Sequence, residues 1–158
     1  LPANDPTEGE TRMETLTAKG SFHAAHRQLG YDGRCVHVHG HTWRGVFLVR
    51  AKRFPRLERL DMSVDFGALK DIFKFLDHKM LISDQDRTFL DSQIFDPAGI
   101  VVMPGKNPSV ENVALYCMNE AVDVLAKLFP GEGVDYQIEI TIQETDNNVF
   151  SLEQTVTV

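Results

Sequence analysis

Over residues 14–22 the apolar Leu16, Ala18 and Phe22 alternate with Thr15, Thr17, Lys19 and Ser21, the period of a strand with one buried face. Gly20 interrupts that alternation and predicts a bulge. Gly30, Asp32 and Gly33 mark a loop. A second strand is expected from about residue 37 to 51, with Val46, Phe47, Leu48 and Val49 making its middle apolar on both faces. The period then changes. Phe66, Leu69, Ile72, Phe73 and Leu76 recur three and four residues apart, which predicts a helix capped by Ser63 or Asp65 and ending over residues 76–78.

Residues 81–107 are punctuated by Asp84, Asp86, Asp91, Asp96, Pro97, Gly99, Pro104 and Gly105, with room for one short strand at 100–103. A second helix is predicted after Pro108, with Ser109 as its cap and Glu111 in its first turn. Its apolar stripe is Val113, Ala114, Cys117, Ala121, Val124, Leu125 and Leu128, and Pro130, Gly131 and Gly133 stop it. Val134, Tyr136, Ile138, Ile140 and Ile142 alternate strictly with polar residues as a third strand. Asp146, Asn147 and Asn148 predict a hairpin turn into a fourth strand, with Phe150 and Leu152 inward and Ser151 and Glu153 outward. The order β-β-α-α-β-β predicts an α+β fold, a four-stranded antiparallel sheet with two helices on one face.

Length and composition narrow the function classes. The 158 residues fit one domain, expected over 14–158 behind a polar, flexible segment 1–13, with Met13 close to the natural start. A hydrophobic fraction of 42% suffices for a core without covalent staples. The net charge of −7 argues against a nucleic-acid partner. It leaves a phosphorylated substrate open, because a pocket can be locally positive on an acidic chain. Two cysteines, Cys35 and Cys117, make no disulfide framework. No apolar run reaches 18 residues and the N-terminus lacks a signal peptide's apolar centre, so a cytoplasmic location with both thiols reduced is expected, with no membrane partner.

The candidate chemistry centres on Cys35-Val36-His37-Val38-His39-Gly40-His41. In a strand, residues 35, 37, 39 and 41 face one way, so two histidines two residues apart can grip one ion. The third ligand is left open among His23, His26 and His37. Three neutral imidazoles with a vacant position make a catalytic zinc site, whereas a structural site closes with four ligands. Five of the six histidines lie at positions 23–41, a density that weighs against coincidence.

Asp77 and His78 are adjacent at the end of the first helix. A carboxylate beside an imidazole suits proton transfer near neutral pH. Cys35 is a candidate proton acceptor if a nearby cation lowers its pKa, whereas Cys117 falls in an apolar helical stripe and is expected in the core. Glu144 ends the third strand and can accept two parallel hydrogen bonds from a planar N–C–N edge such as an aminopyrimidinone. The basic run Arg50, Lys52, Arg53, Arg56 and Arg59 is expected to be a solvated turn.

Several of these pieces resemble one family in type and order. They are Phe22-His23-Ala24-Ala25-His26-Arg27, Cys35-x-x-x-His39-Gly40-His41, Asp65-Phe66-Gly67-x-Leu69-Lys70, Leu76-Asp77-His78, Asn107-Pro108-Ser109-Val110-Glu111-Asn112 and Glu144-Thr145. The chain resembles the 6-pyruvoyltetrahydropterin synthase / 6-carboxytetrahydropterin synthase family from about residue 14 to its end. The resemblance implies the tunnelling fold, in which subunits trimerise into a barrel and two trimers stack as a homohexamer. It implies that His26, His39 and His41 hold Zn2+ and that His23 and His37 are bystanders. It gives Cys35 the role of proton-abstracting thiolate, Asp77 and His78 those of acid/base partners, and Glu144 that of pterin anchor, with sites between subunits so that Glu144 serves a neighbouring chain.

The three-residue gap from Cys35 to His39 is similar to the carboxy branch, which serves queuosine biosynthesis; animal-type pyruvoyl synthases have a longer gap. The implied substrate is a pterin triphosphate, 7,8-dihydroneopterin triphosphate, converted to 6-carboxy-5,6,7,8-tetrahydropterin with release of acetaldehyde and triphosphate. Residues 81–107 depart from the pattern as an insertion. The rival expectations are the pyruvoyl product, a zinc-dependent hydrolase or aldolase that needs no thiol, and a non-catalytic pterin- or metal-binding module.

Overall fold

The structure, a computed structural model, describes residues 12–158. The expected N-terminal segment therefore lies, except for Arg12 and Met13, outside the described residues. Six strands form one sheet: β1 Glu14–His26, β2 His39–Ala51, β3 Lys79–Ile82, β4 Ile100–Val102, β5 Asp135–Thr145 and β6 Asn148–Thr157. Two long helices, α1 Phe66–Leu76 and α3 Val110–Leu128, pack on it, and a single turn of helix, α2 Arg87–Leu90, follows β3.

The sheet order is β4-β3-β1-β2-β5-β6. The expected antiparallel four are its body, with β1 paired to β2, β2 to β5 and β5 to β6. The expected limit of four strands is corrected, because β3 and β4 extend the β1 side in parallel. Their brevity explains why periodicity missed β3: Lys79–Ile82 is four residues, buried on both faces, and continuous apolar runs of that length do not alternate.

The helices begin where their caps allow. The Asp65 carboxylate accepts from the Gly67 N–H at 2.7 Å, so Asp65, not Ser63, caps α1. Ser109 Oγ accepts from the Asn112 N–H and caps α3. Between helices and sheet lie Trp43, Phe22, Phe47, Phe73, Leu69, Leu125, Ile138 and Ile140, all but free of solvent. Cys117 is buried among them as expected, and burial pushes its thiol pKa up.

The expected bulge at Gly20 does not form. β1 and β2 keep an unbroken register in which Gly20 pairs with Gly45. The glycines are there because Phe73 of α1 lies on them: a Cβ at Gly20 would come within 2.6 Å of its ring, and one at Gly45 within 2.2 Å. The ring stacks at 4.9 Å from Phe47 and 6.3 Å from Phe22. The paired glycines let α1 approach the sheet closely, which fixes the height of the strand ends that follow.

Candidate functional site

Along three adjacent strands the core-facing row turns polar at the same end. On β1 it runs Phe22, Ala24, His26; on β2 it runs Trp43, His41, His39; on β5 it runs Ile140, Ile142, Glu144. The β1/β2 register sets His26 opposite His39 and Ala24 opposite His41. Side chains on one face of neighbouring strands are within contact reach, and the three imidazoles converge. Their centroids are 4.6 Å apart for His26–His39, 4.9 Å for His39–His41 and 5.1 Å for His26–His41. One ligand atom from each lies within 4.8 Å of the other two.

The hydrogen bonds settle which nitrogen is free on two of the rings. His26 Nδ1 is 2.7 Å from the Pro108 carbonyl, and His39 Nδ1 is 2.8 Å from the His37 carbonyl. A carbonyl only accepts, so each Nδ1 carries the proton and each Nε2 keeps its lone pair. His26 Nε2 and His41 Nε2 are buried without a partner. Orphaned acceptors in a cluster of neutral imidazoles fit a divalent transition ion. Burial pushes the His26 pKa down to about 4, against the Pro108 bond that raises it and with help from His39 and His41. Burial also lowers the His41 pKa, opposed by the Glu144 charge. Both rings are held in the form that ligates metal. Trp43 lies beneath them, 5.0 Å from His26 and 5.5 Å from His41, and its Nε1 donates to the Ala24 carbonyl.

The metal-free protein should lose stability in acid. The folded His26 pKa of about 4 lies below the ordinary value of 6.5, so the folded chain binds fewer protons than the unfolded one. The contribution of neutral His26 is complete above about pH 6.5 and is lost as pH falls toward about 4, at most about 3 kcal/mol. Urea unfolding of chelator-treated protein across that window measures it. His26→Gln should flatten the dependence.

Glu144 follows Ile140 and Ile142 on the same face, and an irregularity of the β5/β6 pairing lies at its position. Gln143 pairs with Val149 and Thr145 with Asn148, so Glu144 is an extra residue in β5. Glu144 Oε1 stands 3.5 Å from His26 Nε2 and 4.0 Å from His41 Nε2. The expectation that Glu144 serves a neighbouring chain's site is therefore corrected: it faces the histidines of its own chain. The turn is also shorter than expected. It comprises Asp146 and Asn147, while Asn148 opens β6.

The expectation that residues 35, 37, 39 and 41 share one strand face is corrected as well. β1 ends at His26, whose partner is His39, so no ladder exists for residues before it. There the chain closes a 3-10 turn, Arg34–Val36, through Val36 N–H to Gly33 and His37 N–H to Arg34. Cys35 lies exposed on this turn, outside the histidine cluster, with its carbonyl accepting from the Gln28 N–H at 2.7 Å. His37 contributes its carbonyl to His39 rather than its ring to a metal.

Asp77 and His78 form a second cluster. Asp77 caps α1, and its Oδ2 accepts from His78 Nδ1 at 2.9 Å. Its Oδ1 accepts from the His23 N–H at 2.7 Å, and this bond, ahead of those to His78, holds the carboxyl below its usual range. His23 lies three residues before His26, so alternation turns it to the other face of the sheet.

Asn107 had no role assigned from sequence beyond its motif. Its Oδ1 accepts from the Leu29 N–H at 2.6 Å and its Nδ2 donates to the Leu29 carbonyl at 3.1 Å. Its own carbonyl accepts from Asn112 Nδ2 at 2.7 Å. These bonds tie the segment before α3 to the loop after β1 and hold the Pro108 carbonyl on His26. Outer bonds of this kind tune ligand orientation. Asn107→Ala should weaken divalent-metal affinity by about 10–100-fold with the fold retained, measured by competition with a chromophoric chelator. Arg27 similarly ties its strand end to the 81–107 segment through two 2.7 Å bonds to the buried Asp86.

Comparison with known proteins gives three findings. The model of the family described as 6-pyruvoyl tetrahydropterin synthase matches residues 15–155. The curated 6-carboxy-5,6,7,8-tetrahydropterin synthase of Rickettsia bellii is 31% identical over 141 residues, covering 85% of this chain and 96% of the relative; that of Rickettsia felis is 28% identical over the same coverage. A solved catalytic-residue mutant of Plasmodium vivax 6-pyruvoyltetrahydropterin synthase superposes with a TM-score of 0.64 at 20% identity, covering 92% of this chain and 99% of that one, a likeness of fold.

Proposed function

Because the chain belongs to the 6-pyruvoyl tetrahydropterin synthase family, we propose that it is a zinc-dependent 6-carboxy-5,6,7,8-tetrahydropterin synthase. It has the tunnelling fold and is a pterin lyase of that family. The proposed reaction takes 7,8-dihydroneopterin triphosphate to 6-carboxytetrahydropterin, acetaldehyde and triphosphate, in the cytoplasm and as a step toward queuosine. The observation that carries the reading is the convergence of His26, His39 and His41 with unpartnered Nε2 atoms on His26 and His41. The names of the relatives and the three-residue gap from Cys35 to His39 favour the carboxy product. Among the described residues no helix is long and apolar enough to cross a membrane.

In this reading the three imidazoles hold Zn2+. The bound ion supplies Lewis-acid polarisation of the substrate's side-chain hydroxyls. Cys35, as thiolate, takes a proton from the side chain. His78 moves a proton through Nε2, because its Nδ1–H is committed to Asp77. Glu144 accepts the paired N–H groups of the aminopyrimidinone edge. Trp43 and the buried side of His26 keep water from one wall.

Alternation turns the His23 side chain to the sheet face opposite His26, and Asp77 and His78 form a cluster of their own beside it, which supports sites completed by a neighbouring subunit in a trimer-based hexamer. The open edge of β6 supports assembly too, since a bare ten-residue edge invites pairing. The test is incubation with 7,8-dihydroneopterin triphosphate and identification of products by mass. Acetaldehyde with the carboxy product is expected. Triphosphate without acetaldehyde would give the pyruvoyl product instead, and no turnover of the zinc-loaded protein would refute the enzyme.

A further inference from the structure

His23, a bystander by resemblance, has three links to the acid/base pair. Its N–H donates to Asp77 Oδ1 at 2.7 Å, and its carbonyl accepts from the His78 N–H at 2.7 Å. Any residue at this position would supply those two bonds from its backbone. The imidazole adds a contact of its own, with Nδ1 3.4 Å from Asp77 Oδ1, the distance of an ion pair when the ring is protonated. The ring also stands 6.1 Å from that of His78. One carboxylate thus lies between two imidazoles, with Oδ1 turned to His23 and Oδ2 to His78.

The backbone here is under tension. His78 has φ of +59°, a left-handed conformation that is strained for a non-glycine residue. It is held there by the His23 bond and by the parallel pairing of Ala24 with Lys79 immediately after it. Strain of this kind persists where the surroundings over-determine a geometry. The result is a fixed direction for the His78 ring. An ionised carboxylate only accepts, so His78 Nδ1 carries the proton and Nε2 is left free. His23 and His78 open onto a cleft of about 650 Å³ that His41, Thr42, Phe95 and Asp96 also line.

We infer that His23 is a positioning residue: its ring braces the Asp77 carboxylate so that His78 is held as the Nδ1–H tautomer with Nε2 presented to the cleft. His23 is itself two-thirds exposed, so its ring is not needed to fill the core. The assignment of a catalytic task to His78 rests on the pterin-synthase reading; the brace rests on the geometry alone.

The experiment uses full-length, zinc-loaded protein labelled with 15N-histidine, with the His78 ring signals assigned by loss in His78→Gln. At alkaline pH, where imidazole rings are neutral, the His78 ring of the unaltered protein should carry its proton on Nδ1. His23→Ala should mix the tautomers and lower kcat by about tenfold with KM little changed, a part of what a positioned acid–base group supplies. His23→Asn, whose amide nitrogen can stand where Nδ1 does, should restore the ring signals and most of kcat. Unchanged His78 signals in His23→Ala would overturn the inference whatever the turnover. A changed tautomer in a protein that never turns over the pterin would uphold the brace and remove the synthase reading.

Discussion

His39→Ala is expected to leave a folded protein whose zinc affinity has fallen by on the order of a thousandfold, the scale on which about 4 kcal/mol moves an equilibrium. The ring lies near the protein surface at the mouth of the cluster, so its removal takes away one of three donors without opening the core. Cys35→Ala should behave in the opposite way. Cys35 is on an exposed turn outside the cluster, so zinc should be retained at one per chain while kcat falls by about a hundredfold or more. Metal content after dialysis and steady-state turnover measure the two effects. Stoichiometric zinc in His39→Ala would remove the ligand assignment, and full activity in Cys35→Ala would point to a zinc hydrolase or aldolase that has no use for the thiol. The same pair of sites tests the shared-subunit arrangement. If Cys35 and His78 of different chains meet in one site, mixing inactive Cys35→Ala with inactive His78→Ala and reassembling should recover activity that neither variant has alone.

Gly45→Ala should be the most damaging single methyl in the fold. The added carbon would stand 2.2 Å from Phe73 Cε1 and 2.4 Å from Cζ. The ring is fully buried and stacked against Phe47, so it has nowhere to go. Overpacking in a close-packed core costs about 1–3 kcal/mol, and a contact this short belongs at or above the top of that range. Chemical denaturation of the metal-free variant should show a loss of about 3 kcal/mol or more. Phe73→Leu in the same chain should recover part of it, and the double-mutant cycle should show strong coupling between positions 45 and 73. Additive losses would mean that α1 can lift off the sheet without cost. Since β2 carries His39 and His41 beyond Gly45, the variant should also bind zinc less well in proportion to its unfolding.

Much of this was legible before any coordinates. Strict alternation on β5 and the three- and four-residue spacing on α1 and α3 are direct records of which face meets the core, because burial of one face is what stabilises each element. The density of histidines around position 39 pointed to a group that could hold a metal ion, since imidazoles two apart on a strand share a face. The resemblance then singled out His26. The structure supplies its physical basis: the register pairs His26 directly with His39, so the third ring arrives on the same face and at the same end.

What one dimension could not hold was every contact made at long range. Gly20 looks like a bulge until Phe73, 53 positions later, is seen lying on it. The short strand expected at 100–103 forms as β4, whereas β3 is too short and too buried to alternate; β3 pairs with the β1 edge and β4 with β3. Glu144 meets its own chain's histidines only once β1, β2 and β5 lie side by side, and His23 becomes more than a bystander only when the end of α1 brings Asp77 to its backbone. Periodicity records how each segment meets the interior and was therefore decided residue by residue along the chain. The partners of His23, Gly20, Glu144 and Asn107 lie on other elements, so only the packed structure decided them.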